Sequence, residues 1–155
     1  MAQRRAGYIY SEGEKGIAVD IKKGVYWFEK AASQEDVESC YKLGYIYGNK
    51  KEVKDDVKSF YWYKKGAEKG DGCCNNSLGV CYILGVGTRK NAVEAAKCFQ
   101  IAANAGNTAA YRNVGRVYQY EKEVMDYDKA FYWYEKAVKN GNKKAREHFD
   151  RLLGK

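Results

Sequence analysis

The sequence contains no proline, and proline is the residue that breaks helices most strongly. Because Ala, Glu and Lys are abundant as well, the composition favours a chain made of helices. Histidine is nearly missing too, since His148 is the only one. A Ser-His-Asp or Cys-His arrangement is therefore restricted to the C-terminal end of the sequence. We expect a protein that is not an enzyme.

Long apolar runs are also missing. The longest apolar-rich stretch, Leu78 to Val86, is far shorter than the roughly 20 apolar residues that a membrane-spanning helix needs. No signal peptide or membrane anchor is visible in the sequence. These absences predict a cytoplasmic protein.

The cysteines form no regular framework. They are Cys40, Cys73, Cys74, Cys81 and Cys98. An odd number indicates free thiols in a reducing compartment rather than a set of disulfides. Cys73 and Cys74 are adjacent and no Cys-x-x-Cys occurs, which is poor geometry for a zinc site. We therefore expect no metal and no cofactor, with the cysteines packed in the core.

Aromatic residues and positive charge are what the sequence has in quantity. Of the 155 residues, 45% are hydrophobic and 15% are aromatic, which is enough for a packed core although 31% of the residues are charged. The net charge of +8 attracts an acidic partner or a polyanion at long range.

Two sequence marks recur with the same period. The first is a glycine followed three residues later by tyrosine, at Gly7, Gly44, Gly79 and Gly115, which stand 37, 35 and 36 residues apart. The second is an aromatic block followed by small residues, at 26–32, 61–67, 97–103 and 132–138. A period of this length is typical of helical solenoids. We call the helix that carries the glycine the first helix of a repeat, and the helix that carries the aromatic block the second.

The spacing within a period predicts one tight turn and one looser loop. The distance from the second mark to the next glycine is constant, whereas the distance from the glycine to the second mark varies. The tight turns contain Gly70-Asp71, Gly106-Asn107 and Gly141-Asn142, where Gly ends one helix in left-handed geometry and Asp or Asn caps the next. The corresponding pair in the first repeat is Glu35-Asp36, and we expect that turn to be strained or differently shaped.

Helical spacing predicts which faces are buried. In the first helices the buried sets are Ala2, Ala6 and Tyr10; Ser39, Leu43 and Tyr47; Cys74, Leu78 and Tyr82; and Ala110, Val114 and Tyr118. In the second helices they are Gly24, Phe28 and Ala32; Ser59, Tyr63 and Ala67; Ala95, Phe99 and Ala103; and Ala130, Tyr134 and Val138. The mid-helix glycines, which cost helix stability, predict a close approach of neighbouring helices.

The predicted fold is all-α, a right-handed αα superhelix of four repeats with a C-terminal capping helix in a single domain, 1–155. The repeats span approximately 1–35, 36–70, 71–106 and 107–141, and the capping helix spans 142–155.

The motifs within these repeats resemble a known family. Leu-Gly-x-x-Tyr, DYDKA at 126–130, WYEKA at 133–137 and NGN at 140–142 are similar to Sel1-like repeats, which are related to the tetratricopeptide repeats. The similarity covers essentially the whole chain, although Cys98 stands where the other repeats have Trp. The resemblance implies an αα superhelix that scaffolds protein complexes, and it does not identify the partner.

One string in the sequence suggests a different, catalytic function. Ser39-Cys40-Tyr41-Lys42 matches the Ser-x-x-Lys string of penicillin-recognising enzymes, and cysteine-rich relatives of the repeat family have been linked to β-lactamase activity. No Ser-Asp-Asn or Lys-Thr-Gly accompanies it, and Ser39 occupies a small core position. A β-lactamase-like hydrolase is therefore the least favoured of three hypotheses.

The first helices also carry a polar strip outside the buried stripe. It contains Arg4, Arg5, Tyr8, Tyr41, Lys42, Tyr45, Asn76, Ser77, Arg112, Asn113 and Arg116. The resemblance implies that this face is concave and grips an acidic peptide or a terminal carboxylate. We expect a non-catalytic scaffold that binds an extended acidic peptide through bidentate Arg contacts and flanking tyrosines.

The alternative binding function is a polyanion or nucleic-acid module. Its candidate residues are the basic pairs Lys50-Lys51, Lys64-Lys65 and Arg89-Lys90, which would contact phosphates while neighbouring aromatics stack on bases. Most aromatics, however, lie at the spacing of the repeat core, which favours the protein scaffold.

Overall fold

The computed structural model describes residues 2–14 and 16–155, and these residues form helices joined by short connections, without a strand. The helices are α1 (Ala2–Tyr8), which continues into a π-helical turn (Ile9–Gly13), α2 (Ile21–Ser33), α3 (Val37–Asn49), α4 (Asp56–Glu68), α5 (Gly72–Leu84), α6 (Ala92–Asn104), α7 (Ala109–Tyr120), α8 (Tyr127–Lys139) and α9 (Lys143–Leu152).

The helices pack as four pairs in chain order. The pairs are α1 with α2, α3 with α4, α5 with α6, and α7 with α8, and each second helix also packs on the first helix that follows it. The first helices α3 and α5 touch each other, as do α7 and α9. The predicted right-handed αα superhelix of four repeats and a C-terminal helix is confirmed.

The tight turns have the predicted chemistry. Gly70, Gly106 and Gly141 have φ angles of 83°, 87° and 80°, a left-handed geometry that glycine adopts without steric cost. The side chains of Asp71, Asn107 and Asn142 each accept a hydrogen bond from the backbone N–H three residues later. These residues therefore cap the first helices as expected.

The turn between the first two repeats has the expected strain. Glu35 has a φ of 65° and is the only non-glycine residue with positive φ in the part of the chain that the structure describes. A side chain in this geometry brings its Cβ close to the backbone. Asp36 nevertheless caps α3, since its carboxylate accepts from the N–H of Ser39 at 3.0 Å.

The looser loops share a backbone hydrogen bond that the repeat marks do not predict. The residue before each second helix is Asp20, Asp55, Asn91 or Asp126, and its side chain accepts from the N–H three residues later. Its own N–H donates to the carbonyl of the tyrosine in the preceding first helix, at 2.8 to 2.9 Å. One residue thus caps the second helix and ties it to the first, whatever the loop length.

The mid-helix glycines lie directly against aromatic rings. A Cβ added to Gly7, Gly44, Gly79 or Gly115 would stand 2.6 Å from a ring carbon of Phe28, Tyr63, Phe99 or Tyr134, respectively. That distance is well inside van der Waals contact. The predicted close approach of the helices is therefore confirmed. Each glycine packs against the aromatic residue of the same repeat.

The predicted buried stripes are confirmed at most positions, and they depart furthest from the prediction at the first helix. Ser39, Leu43 and Tyr47 are buried, whereas Ala2 is exposed and Ala6 is half-buried. Tyr10, Ala67, Tyr82 and Val138 are also only half-buried. The reason at the first helix is its packing, because α1 rests on α2 while α3, α5 and α7 each lie between two second helices.

Four of the five cysteines lie in the core, and the prediction was wrong for Cys73. All five are free thiols, with Cys40, Cys74, Cys81 and Cys98 buried and Cys73 exposed. Cys73 faces outward because Cys74, the next residue on α5, occupies the inward position. The described residues contain no cluster of acidic, histidine or cysteine side chains able to hold a metal.

Every helix in residues 2–14 and 16–155 is too short or too polar to cross a membrane.

Candidate partner-binding surface

The predicted contact residues share three positions relative to the glycine of each first helix. Three residues before it stand Arg4, Tyr41, Asn76 and Arg112; two before it stand Arg5, Lys42, Ser77 and Asn113; one after it stand Tyr8, Tyr45 and Arg116. Positions separated by four residues lie on the same side of a helix. The set therefore forms one strip across α1, α3, α5 and α7, which we call the first-helix strip.

The N-terminal part of the strip is neutralised by acidic side chains. One guanidinium nitrogen of Arg4 lies 3.2 Å from an Asp36 oxygen and 2.7 Å from a Glu38 oxygen. Arg5 donates to both carboxylate oxygens of Glu14. Both arginines thus already contact carboxylates of the chain itself.

Lys42 and Tyr8 are engaged in the same way. The Lys42 ammonium lies 3.7 Å from a Glu12 oxygen and 4.9 Å from the centre of the Tyr8 ring. The Tyr8 hydroxyl donates to Glu38. Partial burial and this hydrogen bond raise the pKa of Tyr8. These contacts join the first two repeats and leave this part of the strip with little excess charge.

Glu38 is one acidic side chain beside the strip, where it contacts both Arg4 and Tyr8. Glu12, Glu14 and Asp36 lie close to the strip as well. The first two follow α1 in its π-helical turn and the connection after it, and Asp36 is the cap of α3. The cap position of Asp36 was readable from the sequence, whereas the positions of Glu12 and Glu14 depend on how the chain turns back after α1.

The middle of the strip is polar and largely uncharged. Tyr41 is half-buried and packs on Tyr63 with ring centres 5.9 Å apart, and burial raises its pKa. Tyr45 is exposed. The Asn113 side-chain amide donates to the Asn76 carbonyl oxygen at 2.9 Å, so these two residues link the third and fourth repeats.

The C-terminal part of the strip carries positive charge without acidic partners. Arg112 and Arg116 form no ion pair and no hydrogen bond with any residue in 2–14 or 16–155. A third arginine, Arg151 of α9, donates to the hydroxyl of Tyr120 at 3.0 Å. The strip is therefore extended by α9, a helix that was predicted only as a cap.

His148 lies within this cationic group. Its ring stacks on that of Tyr134 with an interplanar angle of 7° and centres 5.4 Å apart, and its Nδ1 is 3.3 Å from the Tyr120 hydroxyl. The pKa of His148 is lowered by partial burial first, and then by the positive charges of Arg116, Arg151 and Arg112. The three arginines around the ring give this part of the strip a positive local potential, which is what an anion requires.

A cleft lies between α5 and α7 beside these arginines. Its volume is about 140 Å³, and it is lined by Val80, Ile83, Leu84, Phe99, Asn113, Arg116, Val117, Tyr120 and Glu121. Leu84 is 67% exposed and Val80 is 38% exposed, so the apolar wall is open to solvent. The apolar residues at the end of α5 were the sequence signal for this cleft. The signal was missed because those residues were interpreted as part of the repeat pattern.

The Ser-x-x-Lys string has no catalytic geometry. Ser39 is fully buried, and its hydroxyl donates to the Asp36 carboxylate. The Lys42 ammonium is held by Glu12 and Tyr8. A nucleophile must be reachable by its substrate and close to its base, and Ser39 meets neither condition.

The aromatic rings beside one of the basic pairs considered for nucleic acid are already in contact with a lysine of that pair. Lys65 lies over the rings of Tyr61 and Trp62, within 5.7 Å of both centres. The equivalent lysines Lys30 and Lys136 cover the equivalent rings in the first and fourth repeats. These rings already stack with lysine, which competes with the stacking of bases.

Comparison with known families gives one match over nearly the whole chain. The Sel1 repeat model matches four times, at residues 1–36, 37–71, 74–107 and 108–142. The matched segments follow the helix pairs of the structure.

Comparison with known proteins gives relatives of greater length. Chitin synthase regulator SKT5 of Saccharomyces cerevisiae is 34% identical over 145 residues, which is 88% of this chain and 20% of that protein. A second curated relative, DAP3-binding cell death enhancer 1 of Mus musculus, is 30% identical over 72% of this chain, again 20% of its own length. The chain thus spans about a fifth of the length of the curated relatives that it matches.

Two solved structures have the same architecture. A protective antigen of uropathogenic Escherichia coli with an SLR fold superposes with a TM-score of 0.91 at 30% identity, over 99% of this chain and 33% of that one. A repeat protein from Oxalobacter formigenes superposes with a TM-score of 0.82 at 33% identity, over 99% of this chain and 63% of that one.

Proposed function

Because this chain belongs to the Sel1 repeat family, we propose that it is a non-catalytic scaffold whose first helices hold an extended acidic segment of a partner protein. Sel1 repeat proteins generally serve as scaffolds for protein–protein interaction. The names of both curated relatives refer to another protein: one is called a regulator of chitin synthase, and the other is called DAP3-binding.

The observation that carries the proposal is the uncompensated charge of Arg112 and Arg116. Other cations of the strip meet carboxylates of their own chain, as Arg4, Arg5 and Lys42 do. Arg112 and Arg116 instead share their surroundings with Arg151 and His148. Keeping like charges together is unfavourable unless an anion joins them, and arginine pairs with carboxylates in a bidentate geometry.

The packing order supports the concave side as the binding face. The first helices α3 and α5 contact each other, and the capping helix α9 contacts α7, which supports this side as the closely spaced layer of the superhelix. In αα solenoids the closely spaced layer forms the concave surface, on which extended segments bind. A partner chain lying along this layer would run across several repeats and reach the arginines of α7.

Charge reversal on the two faces tests the proposal. The variant Arg112→Glu with Arg116→Glu should lose capture of protein partners from nuclease-treated lysate, while Lys64→Glu with Lys65→Glu on α4 should retain it. Both variants change the net charge by the same amount, so a loss common to both would indicate non-specific electrostatics. A loss confined to the Lys64 and Lys65 variant would place the binding face on the second helices.

The salt dependence of binding separates a protein partner from a polyanion. A nucleic acid that neutralises many phosphates loses affinity steeply as salt rises, because counterions are released on binding. Docking of an acidic segment on a few arginines should show a much shallower slope. A steep slope that survives in the Arg112 and Arg116 variant would favour the polyanion function instead.

The proposed scaffold functions in the cytoplasm. All five cysteines are free thiols, and free thiols persist in a reducing compartment.

A further inference from the structure

One wall of the cleft between α5 and α7 is apolar because of residues specific to the third repeat. At one, four and five positions after the helix glycine, the third repeat has Val80, Ile83 and Leu84. The first repeat has Tyr8, Ser11 and Glu12 at these positions, and the second has Tyr45, Gly48 and Asn49. The repeat fold therefore does not require apolar residues there, and their presence in the third repeat needs a separate explanation.

Packing within the chain explains Ile83, which lies against the core, but it does not explain Val80 and Leu84. Leu84 is 67% exposed, although leucine gains free energy when it leaves water. On the opposite wall, Tyr120 of α7 is 44% exposed. The floor is formed by Phe99 and Val117, which are buried. The cleft thus has an apolar floor and two partly exposed apolar walls, an arrangement typical of a surface that contacts another molecule.

Charge at the rim indicates the chemistry of the occupant. Arg116 and Asn113 belong to the wall itself, and Arg116 has no acidic partner among the described residues. Glu121 also lines the cleft, but its carboxylate is neutralised by the Lys90 ammonium at 3.1 Å. The rim therefore carries an excess of positive charge directly beside an apolar floor.

We propose that this cleft takes one aliphatic side chain of the acidic partner, from a residue close in sequence to a carboxylate that Arg116 holds. The inference rests on the proposed function and makes it more specific. An extended segment lying across α5 and α7 would place the apolar side chain between Leu84 and Tyr120. Its neighbouring Asp or Glu would then face Arg116, and the cleft would select the position of the segment along the array.

A random peptide library displayed on phage tests the proposal without knowledge of the natural partner. Selection on the intact chain should enrich peptides in which Leu, Ile or Met stands within a few residues of Asp or Glu. Selection on Val80→Gln with Leu84→Gln should still enrich acidic residues and should lose the aliphatic one. Both substituted residues are surface-exposed, so the variant is expected to fold.

A matched variant controls for the removal of exposed apolar surface. Val93 and Ile101 on α6, a second helix, are also exposed. The variant Val93→Gln with Ile101→Gln should give the same enriched motif as the original chain. For a peptide carrying the motif, the change of its aliphatic residue to Gln should weaken binding about tenfold on the original chain and hardly at all on the Val80 and Leu84 variant.

The possible outcomes distinguish this inference from the proposed function. Enrichment of acidic residues without an aliphatic one would overturn the cleft as a subsite and leave the proposed function standing. Enrichment of peptides without acidic residues, or of none, would overturn both. An aliphatic preference that persists in the Val80 and Leu84 variant would place the subsite elsewhere.

Discussion

The glycine of each first helix and the aromatic ring beneath it form the contact that brings the two helices of a repeat together. The ring carbons leave no room for a Cβ at Gly79 or Gly115. Helix propensity alone would favour Ala at these positions by about 1 kcal/mol. The glycines are therefore retained for packing.

Substitution of these glycines should destabilise the fold through overpacking. For Gly79→Val and Gly115→Val we expect a loss of about 1–3 kcal/mol in the free energy of unfolding, measured by chemical denaturation. Gly72→Ala is the control, because its Cβ would meet its neighbours at 3.4 Å, an ordinary contact distance. No loss at Gly79 and Gly115 would contradict close packing as the reason for glycine.

His148 should make the stability of the protein depend on pH. Its pKa in the folded chain lies below the ordinary value of 6.5, because of partial burial and of Arg116, Arg151 and Arg112, although Glu147 partly offsets this. Tyr120 and Tyr134 contact the ring from α7 and α8.

The sign follows from proton linkage. Between the two pKa values the unfolded chain binds more protons than the folded chain, so stability falls as the pH falls through this window. Above the unfolded pKa the effect is absent. Unfolding measured from about pH 7.5 to about pH 5 should show a steeper loss for the original chain than for His148→Gln. Equal slopes would contradict the lowered pKa of His148 in the folded chain.

At the scale of helices and turns, much of the fold follows from local chemistry. The period of the glycine mark predicted the helix pairs, and the Gly-Asp and Gly-Asn pairs predicted where first helices begin. The caps Asp20, Asp55, Asn91 and Asp126 were visible in the sequence, but their N–H bonds to the preceding tyrosines were not. Such a bond depends on how the loop folds back, and loops of different length conceal the common geometry.

Glu35 provides a test of turn chemistry within one array. It occupies a left-handed position that glycine fills at the three equivalent turns. Glu35→Gly should raise the melting temperature in thermal denaturation, because glycine relieves the strain. The substitution also removes the ion pair with Lys69, which is exposed and contributes little. Lys69→Ala controls for that pair, and a lower melting temperature in Glu35→Gly alone would contradict the expected strain.

The candidate surface was less predictable than the fold, for a physical reason. Helical spacing placed the strip residues on one face, but their neutralisation depends on acids from other elements. Arg4 meets Glu38 across 34 residues of sequence, and Lys42 meets Glu12 across the boundary between two repeats. Whether two such side chains meet depends on how neighbouring repeats are positioned relative to each other, and the sequence pattern does not give that position. The exposed Leu84 was a local signal, and its significance emerged only from comparison with the same position in the other repeats.

At the scale of the whole molecule, positive charge is distributed unevenly along the first-helix strip. The charge of its N-terminal part is neutralised by ion pairs between the first two repeats. Its C-terminal part has Arg112, Arg116 and Arg151 around His148, beside an apolar cleft. An extended partner would therefore be steered toward the C-terminal part by charge and positioned there by apolar contact.

The central claim is that a partner lies along the first helices, and tyrosine side chains on both faces allow it to be measured directly. Tyr45 and Tyr120 lie on first helices, whereas Tyr26, Tyr61 and Tyr132 lie on second helices, and all five are roughly half exposed. Hydroxyl-radical footprinting compares their oxidation in the free chain and in the complex with a captured partner. We predict that Tyr120 and Tyr45 become protected while Tyr26, Tyr61 and Tyr132 react as before. Protection of the second-helix tyrosines with unchanged oxidation of Tyr120 and Tyr45 would contradict the claim.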